Sequence, residues 1–525
     1  MIKKISFFIV FLLFFISNFS DLANVVMAKE DFNSYKKVVL VINQVRGDEC
    51  CDPGSKIYLQ QQVDSLKENG LKGNFAVRYD ALNDKNFTDL LKNLEPSQFE
   101  LGAFLEITPE LTQDAGVKYG GEIKDWYKAQ NAYTVGYSIK DRQKIIDTYM
   151  ERFFSVFGFY PKFSTAWVMD TDTVNYMNEK YGLLAHQITR EQWGTDSYTL
   201  SGGPVHYPYF ASENWLFAKS ENQDNFEEIS NDLERNDILS SNKNKTIILR
   251  QTGADPLFNY GDSTNSFTTQ PNDYAIGKRD INYFYQLKNQ FANQEHNNYG
   301  FLLLGLENSM DQSYQDEFAK QLASIEVDKE NLSLTVQEFS DFFGKNTQTV
   351  VGLEGKDFVG NSDKKSFWIN GGTYRVRLIY KNNELYISDL RFSNDGLEDP
   401  YNEYVAQDLA FWVTPFIFNS SQHYNLDVSP SSLGKNNFKE NFLTELRKKY
   451  LPEFQKTNFE VKPSHNDLSS SFDGIKIASN LKTIDGFYRN ELDNLVLGFT
   501  NNYPPSDKTD TPKEITFFED YFKTH

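Results

Sequence analysis

Short apolar runs alternate with stretches of helical periodicity between residues 36 and 345. The runs predict strands at residues 37–43, 72–78, 99–107, 163–169, 183–188, 246–251 and 299–306, and a further short strand at 332–336. Helices are predicted after most of these strands, at residues 55–68, 86–94, 140–157, 171–181, 280–291 and 311–324. Buried strands that are followed by helices indicate a parallel sheet covered on both faces. Seven or eight such units favour a closed β/α barrel over an open doubly wound sheet.

The pattern changes after about residue 350, where apolar and polar residues alternate with a period near two. Residues 373–380 and 384–392 predict a hairpin, and β-like runs follow at 410–418, 474–478 and 495–499. One helix is predicted within this part, at 439–450. The alternation favours an antiparallel, sandwich-like domain. The predicted fold is therefore α/β: a seven- or eight-stranded β/α barrel over residues 36–345, followed by a β-rich accessory domain over 350–525.

Residues 1–28 have the pattern of a secretory signal peptide. Lys3 and Lys4 give a positive start, and an apolar run follows at 7–16. This run is shorter than the roughly 20 apolar residues that cross a membrane. The small side chain of Ala28 then fits a cleavage site. We expect a secreted or cell-surface protein without a stable membrane span after cleavage, and an uncleaved N-terminal anchor is the alternative.

Composition and charge exclude some classes of partner. Aromatic residues make up 15% of the chain, an excess that predicts aromatic-lined surfaces besides the core. The formal net charge is −20, and a surface of that sign repels phosphate backbones, so we expect no nucleic-acid partner. The two cysteines, Cys50 and Cys51, are adjacent, which excludes long-range disulfides. Two reduced thiols and a redox-sensitive turn are both open interpretations of this pair.

Carboxylates are the most frequent catalytic residue type at the predicted strand ends. In a β/α barrel, the residues at the carboxyl ends of the strands converge on one mouth. The candidate catalytic residues are Glu106, Asp170 and Glu307. Glu106 and Glu307 follow apolar strands, where an accidental buried charge would be costly. Asp170 directly precedes a predicted helix, so helix capping explains it equally well.

The same mouth would present side chains that suit a sugar. Arginine, amide and carboxylate groups can make paired hydrogen bonds to sugar hydroxyls, and aromatic rings can stack on the C–H faces of the sugar. The candidate substrate-binding residues are Arg46, Asp48, Arg78, Trp167, Gln187, Glu191, Trp193, Arg250, Gln251 and Tyr260. The sequence has no convincing Ser/His/Asp arrangement and no paired histidines of zinc-site spacing in the barrel part. An oligo- or polysaccharide is therefore the expected partner.

Several segments resemble the superfamily that unites polysaccharide deacetylases with glycoside hydrolases of families 57 and 38. Residues 100–108, Glu-Leu-Gly-Ala-Phe-Leu-Glu-Ile-Thr, resemble the deacetylase segment Glu-Ile-Gly-x-His-x-x-x-His. Residues 158–182, from Gly-Phe-Tyr-Pro to Tyr-Gly, resemble the next stretch of those barrels. Residues 305–308 (Gly-Leu-Glu-Asn) and 336–339 (Val-Gln-Glu-Phe) resemble their end. The resemblance covers about residues 36–345 and implies a barrel that acts on carbohydrate.

The chain departs from the deacetylase pattern where that family binds its metal. Deacetylases place two aspartates directly after the first strand, and this chain has Asn43 and Gln44 there. Phe104 and Thr108 occupy the places of the two metal-binding histidines. These departures count against a metal-dependent deacetylase built on that motif.

Three hypotheses about function follow. The favoured one is a secreted glycoside hydrolase, because the hydrolases that this barrel resembles need only a carboxylate nucleophile on the fourth strand and a carboxylic acid on a late strand. Asp170 would be the nucleophile or base, Glu307 the general acid, and Glu106 a positioning carboxylate, with no cofactor required. The first alternative is a polysaccharide deacetylase with an atypical divalent-metal site built from residues such as Asp48, Glu106 and His186. The second is a glycan-binding protein that kept the barrel and lost its chemistry.

Overall fold

A computed structural model describes most of the barrel part of the chain and shorter segments of the C-terminal part. The described residues are 35–49, 53–122, 129–188, 207–216, 218–220, 245–250, 255–257, 268–275, 279–294, 297–347, 351–370, 374–392, 399–402, 405–406, 416–419 and 475–478. Some sequence predictions lie outside them: the signal peptide at 1–28, the Cys50–Cys51 pair, the helix at 439–450 and the strand at 495–499.

A sheet of mainly parallel strands forms the first part of the molecule. Its strands are β1 (Lys36–Val45), β2 (Gly73–Val77), β3 (Phe99–Phe104), β4 (Phe163–Ala166), β5 (Ala185–Ile188), β6 (Tyr209–Phe210), β7 (Ile247–Arg250), β8 (Tyr299–Leu304) and β9 (Asn331–Ser333). They are ordered β6-β7-β5-β4-β3-β2-β1-β8 across the sheet, and β9 also pairs with β1. All of these pairings are parallel except that of β6 with β7.

Strand β1 lies between an early strand and a late strand of the sheet. On one side β1 pairs with β2, with Ile42 opposite Asn74, and on the other it pairs with β8, with Val41 opposite Leu304. Because the first strand pairs with a late one, the sheet curls as a barrel does. Nearly every residue of β1, β2 and β8 is buried, as expected of strands covered on both faces. The predicted barrel-like α/β fold is confirmed.

Helices follow the strands and cover the sheet. They are α1 (Lys56–Glu68), α2 (Tyr79–Asn83), α3 (Lys85–Lys92), α4 (Pro109–Asp114), α5 (Ala129–Ala132), α6 (Ile139–Phe157), α7 (Thr171–Tyr181), α8 (Pro271–Ala275), α9 (Ile281–Ala292), α10 (Gln312–Ala323) and α11 (Val336–Phe343). Local signals set their ends. The hydroxyl of Ser138 caps α6 by accepting a hydrogen bond from the Asp141 N–H. Helices α6 and α7 both end at a glycine in the left-handed region, Gly158 and Gly182.

The end of the barrel part differs from the prediction. Residues 332–336 predict a strand, but the strand ends at Ser333, and Val336 begins α11. The hydroxyl of Thr335 accepts a hydrogen bond from the Glu338 N–H, and the Glu338 carboxylate accepts one from the Thr335 N–H. This reciprocal capping box starts a helix, so the prediction of a strand through Val336 is wrong.

A second, antiparallel sheet follows the barrel. Its strands are β10 (Val351–Lys356), β11 (Lys365–Asn370), β12 (Tyr374–Lys381), β13 (Glu384–Phe392), β14 (Phe416–Asn419) and β15 (Ile475–Ala478). They are ordered β10-β11-β12-β13-β14, and β15 also pairs with β13. Asn382 and Asn383 adopt positive φ angles in the tight turn between β12 and β13, as a two-residue hairpin requires. The predicted hairpin and β-rich part are confirmed, and within the described segments this part forms one sheet.

The second sheet packs directly on the barrel. Val351, Leu353 and Trp368 belong to the same cluster of buried side chains as the barrel strands. The Trp368 indole N–H and the Ser366 hydroxyl each donate a hydrogen bond of 2.7 Å to the Pro256 carbonyl. The domain boundary near residues 345–350 stays a prediction. The hydrogen bonds to Pro256 join residues on both sides of it, so the contacts do not separate two domains there. In the part of the chain that the structure describes, no helix combines the length and the apolar sequence that crossing a membrane takes.

Candidate functional site

Charged side chains gather at the carboxyl ends of the parallel strands. The residues that follow β1, β2, β3 and β8 closely include Arg46, Arg78, Glu106 and Glu307. The carboxyl ends of neighbouring parallel strands meet at one edge of a sheet, so these residues lie together although they are far apart in sequence. None of the four is more than 7% exposed. Together with Asp80 we call them the charged cluster.

Arg46 lies at the centre of the charged cluster. Its Nε atom is 3.4 Å from Glu106 Oε2 and 3.1 Å from Glu307 Oε2. Burial opposes ionisation of this guanidinium, but the two carboxylates raise the pKa of Arg46 above its ordinary value. Arg46 therefore stays charged and holds the two glutamates close to each other.

Arg78 adds a second guanidinium to the cluster. Its Nη1 atom donates to Glu106 Oε2 at 2.9 Å, while its Nε and Nη2 atoms donate to the two oxygens of Asp80 at 2.8 Å each. Burial would raise the pKa of Asp80, but the paired Arg78 holds it below its ordinary value. Glu106 thus accepts from one guanidinium and pairs with a second.

Amide side chains frame the cluster. The Oδ1 atom of Asn308 accepts from the Arg46 backbone N–H at 2.8 Å, and its Nδ2 atom donates to the Arg46 carbonyl at 3.0 Å. Across the barrel, Gln44 Nε2 donates to Gln187 Oε1 at 3.5 Å. These bonds fix the backbone from which Arg46 extends, so the cluster is pre-organised.

Aromatic rings form one side of the cluster. The Arg46 guanidinium lies 5.7 Å from the centre of the Phe104 ring, within the range of a cation–π contact. The ring of Trp167 meets Phe104 edge-on at 6.3 Å. Trp167 is therefore beside the charged cluster, as the sequence predicts, while Phe104 occupies a place where the deacetylase motif has histidine.

Asp170 lies in a separate set of contacts. Its carboxylate caps α7 by accepting from the Thr173 N–H at 2.8 Å, and it also accepts from the Thr134 hydroxyl. Arg142 Nη1 is 3.0 Å from Asp170 Oδ1. The capping interpretation of Asp170 is confirmed by this geometry, and its catalytic role stays a prediction.

The remaining predicted residues are placed in different ways. Arg250 is buried with its guanidinium 5.6 Å from the ring centre of Tyr209, whereas Asp48 is exposed. Four predicted binding residues lie outside the described residues: Glu191, Trp193, Gln251 and Tyr260. Asp80 and Asn308 stand just after strands β2 and β8, so their position predicts them at the mouth, but the sequence assigns neither of them a catalytic or binding role.

The described residues do not fit a divalent metal ion. They contain no group of three His, Cys, Asp or Glu side chains that could hold one. The suggested set of Asp48, Glu106 and His186 is not brought together, because His186 is fully buried with Nδ1 2.7 Å from the Ser164 hydroxyl. Burial lowers the pKa of His186 to about 3, so the imidazole is neutral. Glu106 is already paired with two cations, which a metal ion would have to displace.

Comparisons with known proteins support the fold. The sequence matches no protein-family model and no curated protein. The structure is similar to that of a protein from Parabacteroides distasonis that carries the name glycoside hydrolase/deacetylase, with a TM-score of 0.53 and 12% sequence identity over 81% of this chain and 100% of that one. Two proteins that carry the name polysaccharide deacetylase, from Mycobacterium smegmatis and Pseudomonas aeruginosa, have TM-scores of 0.34 and 0.35 and identities of 11% and 8%. They cover 59% and 60% of this chain and match 91% and 93% of their own chains.

The likeness to the Parabacteroides protein shows a shared fold. It extends over 81% of this chain. The comparisons give no separate support to the likeness with families 57 and 38. The chain therefore shares the fold of that protein, while the reaction has to be argued from the site.

Proposed function

We propose that the chain binds an oligo- or polysaccharide at the barrel mouth, without the metal-dependent deacetylation of the family whose motif residues 100–108 resemble. The observation that carries the proposal is the place of Arg46 between Glu106 and Glu307. At Phe104, where the related motif has a metal-binding histidine, this chain has the guanidinium of Arg46 at 5.7 Å from the ring centre.

The charged cluster suits hydroxyl-rich ligands. A sugar hydroxyl can accept a hydrogen bond from a guanidinium and donate one to a carboxylate, and here both kinds of group are adjacent. Asp80, Glu307 and Trp167 are the slightly exposed residues among the charged cluster and its aromatic side, at 6%, 7% and 8%. A site with a few convergent polar groups beside aromatic surface is typical of small-molecule recognition. The ligand would meet Glu307 first and Arg46 behind it.

Glycosidic hydrolysis is the second candidate function. Glu106 and Glu307 both reach the same Nε atom of Arg46, so their carboxyl groups are close to each other, as a pair of catalytic carboxylates must be. A general acid has to carry a proton, however, and the contact with Arg46 is an ion pair. The geometry therefore favours binding over hydrolysis.

The decisive experiment measures binding and turnover on the same preparation. Chitin oligosaccharides and acetylated xylan oligosaccharides would be titrated calorimetrically into the mature chain, with acetate and reducing ends assayed after prolonged incubation. We expect saturable binding, no acetate with or without added zinc or chelator, and no new reducing ends. Glu307→Gln and Arg46→Lys should each weaken binding by roughly tenfold, which is about 1.4 kcal/mol.

A matched substitution controls for general effects of charge. Glu317→Gln removes a carboxylate on α10 whose partner is Lys320, and it should leave binding unchanged. Acetate release that a chelator stops would overturn the proposal in favour of a metal-dependent deacetylase. Reducing ends that disappear in Glu307→Gln would overturn it in favour of a hydrolase.

The proposal also places the protein outside the producing cell. Its support is the signal-peptide pattern of residues 1–28, and polysaccharides are abundant at cell surfaces. N-terminal sequencing of secreted material should begin after Ala28. A chain that starts at Met1 and stays with the cells would contradict this part of the proposal.

A further inference from the structure

Two exposed aromatic side chains lie on the outer surface of the barrel where α6 ends. Phe154, in the last turn of α6, is 43% exposed, and Phe159, just after the helix, is 45% exposed. Among the described residues, six large hydrophobic side chains are strongly exposed, and these two are the aromatic ones. Strand β4 begins soon afterwards, so these two side chains lie towards the amino-terminal end of the strands, opposite the barrel mouth.

The exposed rings are held in place by other rings. Phe154 lies 4.9 Å from Tyr160, with an angle of 33° between the ring planes, and Tyr160 lies 4.9 Å from Tyr181. Phe159 meets Phe153 edge-on at 5.7 Å. Because each exposed ring packs against other rings, its exposed face is ordered before any ligand arrives. Tyr181 is buried and supports the rings above it. We call the surface formed by Phe154, Phe159, Tyr160 and Tyr176, with Tyr181 beneath it, the aromatic platform.

Polar groups border the aromatic platform on one side. Asp147 Oδ1 accepts from the Tyr176 hydroxyl at 2.6 Å and from Lys180 Nζ at 2.8 Å. Asp147 also accepts from the Tyr181 hydroxyl. Lys180 Nζ lies 5.1 Å from the ring centre of Tyr176, so the same cation also contacts the platform. Asp147 and Lys180 balance each other, and this edge carries donors and acceptors without net charge.

We propose that the aromatic platform is a second glycan-binding surface, which holds a neutral polysaccharide chain at a distance from the barrel mouth. Sugar rings can lie on the exposed faces of Phe154 and Phe159, while their hydroxyls reach Asp147 and Lys180. The inference rests on the proposed function for the choice of a carbohydrate, but it concerns different residues and a different face of the barrel.

Charge and chemistry favour this ligand over others that cover aromatic surfaces. The chain carries a net charge of −20, which opposes anionic lipid surfaces and nucleic acids. A purely apolar partner would leave the ion pair of Asp147 and Lys180 without a role at the edge. A neutral, hydroxyl-bearing chain uses both the rings and the polar border.

The test compares retention on insoluble polysaccharides with binding at the mouth. The mature chain would be mixed with microcrystalline cellulose, chitin or insoluble xylan, and the unbound protein would be measured. We expect Phe154→Ala/Phe159→Ala to weaken adsorption by roughly tenfold, because exposed rings supply most of such contacts. The matched variant Phe154→Tyr/Phe159→Tyr keeps both rings and should adsorb like the wild type.

Calorimetry with soluble oligosaccharides separates this inference from the proposed function. The alanine variant should still bind them at the barrel mouth. If it adsorbs as strongly as the wild type, the platform is not a glycan site, and the proposed function stands. If Glu307→Gln abolishes adsorption together with oligosaccharide binding, one site at the mouth explains both, and the inference is overturned.

Gel filtration that shows a dimer for the wild type and a monomer for the alanine variant would assign the platform to self-association instead. A wild-type chain that binds no glycan in either assay would overturn both proposals.

Discussion

Arg46 is the residue on which the charged cluster depends. It is buried and pairs with Glu106 and Glu307, so its removal would leave two buried carboxylates with one cation fewer. Removing one partner of a buried ion pair commonly costs about 3–5 kcal/mol. We expect Arg46→Met to lower the free energy of unfolding by about 3 kcal/mol or more, as measured by urea denaturation of the mature chain.

A second substitution separates charge from packing at Arg46. In Arg46→Met/Glu307→Gln, one of the two buried carboxylates that lose Arg46 as a partner is replaced by a neutral amide of the same shape. The double variant should therefore be more stable than Arg46→Met alone, although Glu307→Gln is destabilising in the wild type. Strictly additive losses would show that Arg46 and Glu307 do not interact, and the account of the cluster would fail.

The sequence predicts where these residues lie in the barrel, but not which residues they pair with. A charge directly after an apolar strand places Glu106 and Glu307 at the mouth, and Arg46 and Arg78 follow strands in the same way. Their pairing depends on which way each side chain points across β1, β2, β3 and β8, and no local pattern encodes that. Asp170 illustrates the limit, because a residue after a strand and before a helix satisfies a catalytic and a capping interpretation alike.

At the scale of elements, the capping box of α11 predicts how much one hydroxyl contributes to the free energy of unfolding. Thr335 accepts from the Glu338 N–H at 3.3 Å, and losing an N-cap hydroxyl commonly costs about 1 kcal/mol. Thr335→Ala should therefore lower the free energy of unfolding by about 1 kcal/mol. Urea denaturation would measure it.

Thr148→Ala is the matched control for the capping prediction. Thr148 lies within α6 and is partly exposed, and alanine has the higher helix propensity there. The control should lose nothing measurable or gain a few tenths of a kcal/mol, by roughly the difference in propensity. Equal losses in the two variants would mean that the hydroxyl of Thr335 does not act as a cap.

Elements with signals at both ends are those that the sequence predicts well. Helix α7 has the predicted bounds because an aspartate precedes it and a glycine ends it. The strand predicted at 332–336 extends too far, because a short apolar run has no decisive period and the Thr-x-x-Glu signal at 335–338 starts a helix there. Strands β10 and β11 are missing from the sequence prediction, because both contain charged residues among the apolar ones.

At the scale of the whole molecule, Asp399 ties the chain beyond β13 to the barrel. Its Oδ2 atom accepts from both the N–H and the hydroxyl of Thr171, at 2.7 Å each, across 228 residues of sequence. Asp399 is buried at the start of α7, where Asp170 is also close. Sequence reasoning could not find this contact, since nothing local to residue 399 marks its partner.

The same contact makes stability depend on pH. Burial, together with the charge of Asp170, raises the pKa of Asp399 to about 6, whereas an aspartate in the unfolded chain has a pKa near 3.9. Between about pH 4 and pH 6 the folded state then holds more protons at this site than the unfolded state, so this group lowers stability as the pH rises through that window. Asp399→Asn removes the titration. The free energy of unfolding of the wild type, relative to that of the variant, should fall by about 2–3 kcal/mol from pH 4 to pH 7.

Urea denaturation of both chains at pH 4, 5, 6 and 7 would measure this difference, and only its dependence on pH matters, because asparagine also changes the hydrogen bonds to Thr171. A difference that stays constant would mean that Asp399 titrates alike in the folded and unfolded chains. A difference that rises with pH would mean that the two donors of Thr171 stabilise the carboxylate more than burial and Asp170 oppose it. The direction of the slope therefore decides whether the junction between Asp399 and α7 is weakened or strengthened as the pH rises towards neutrality.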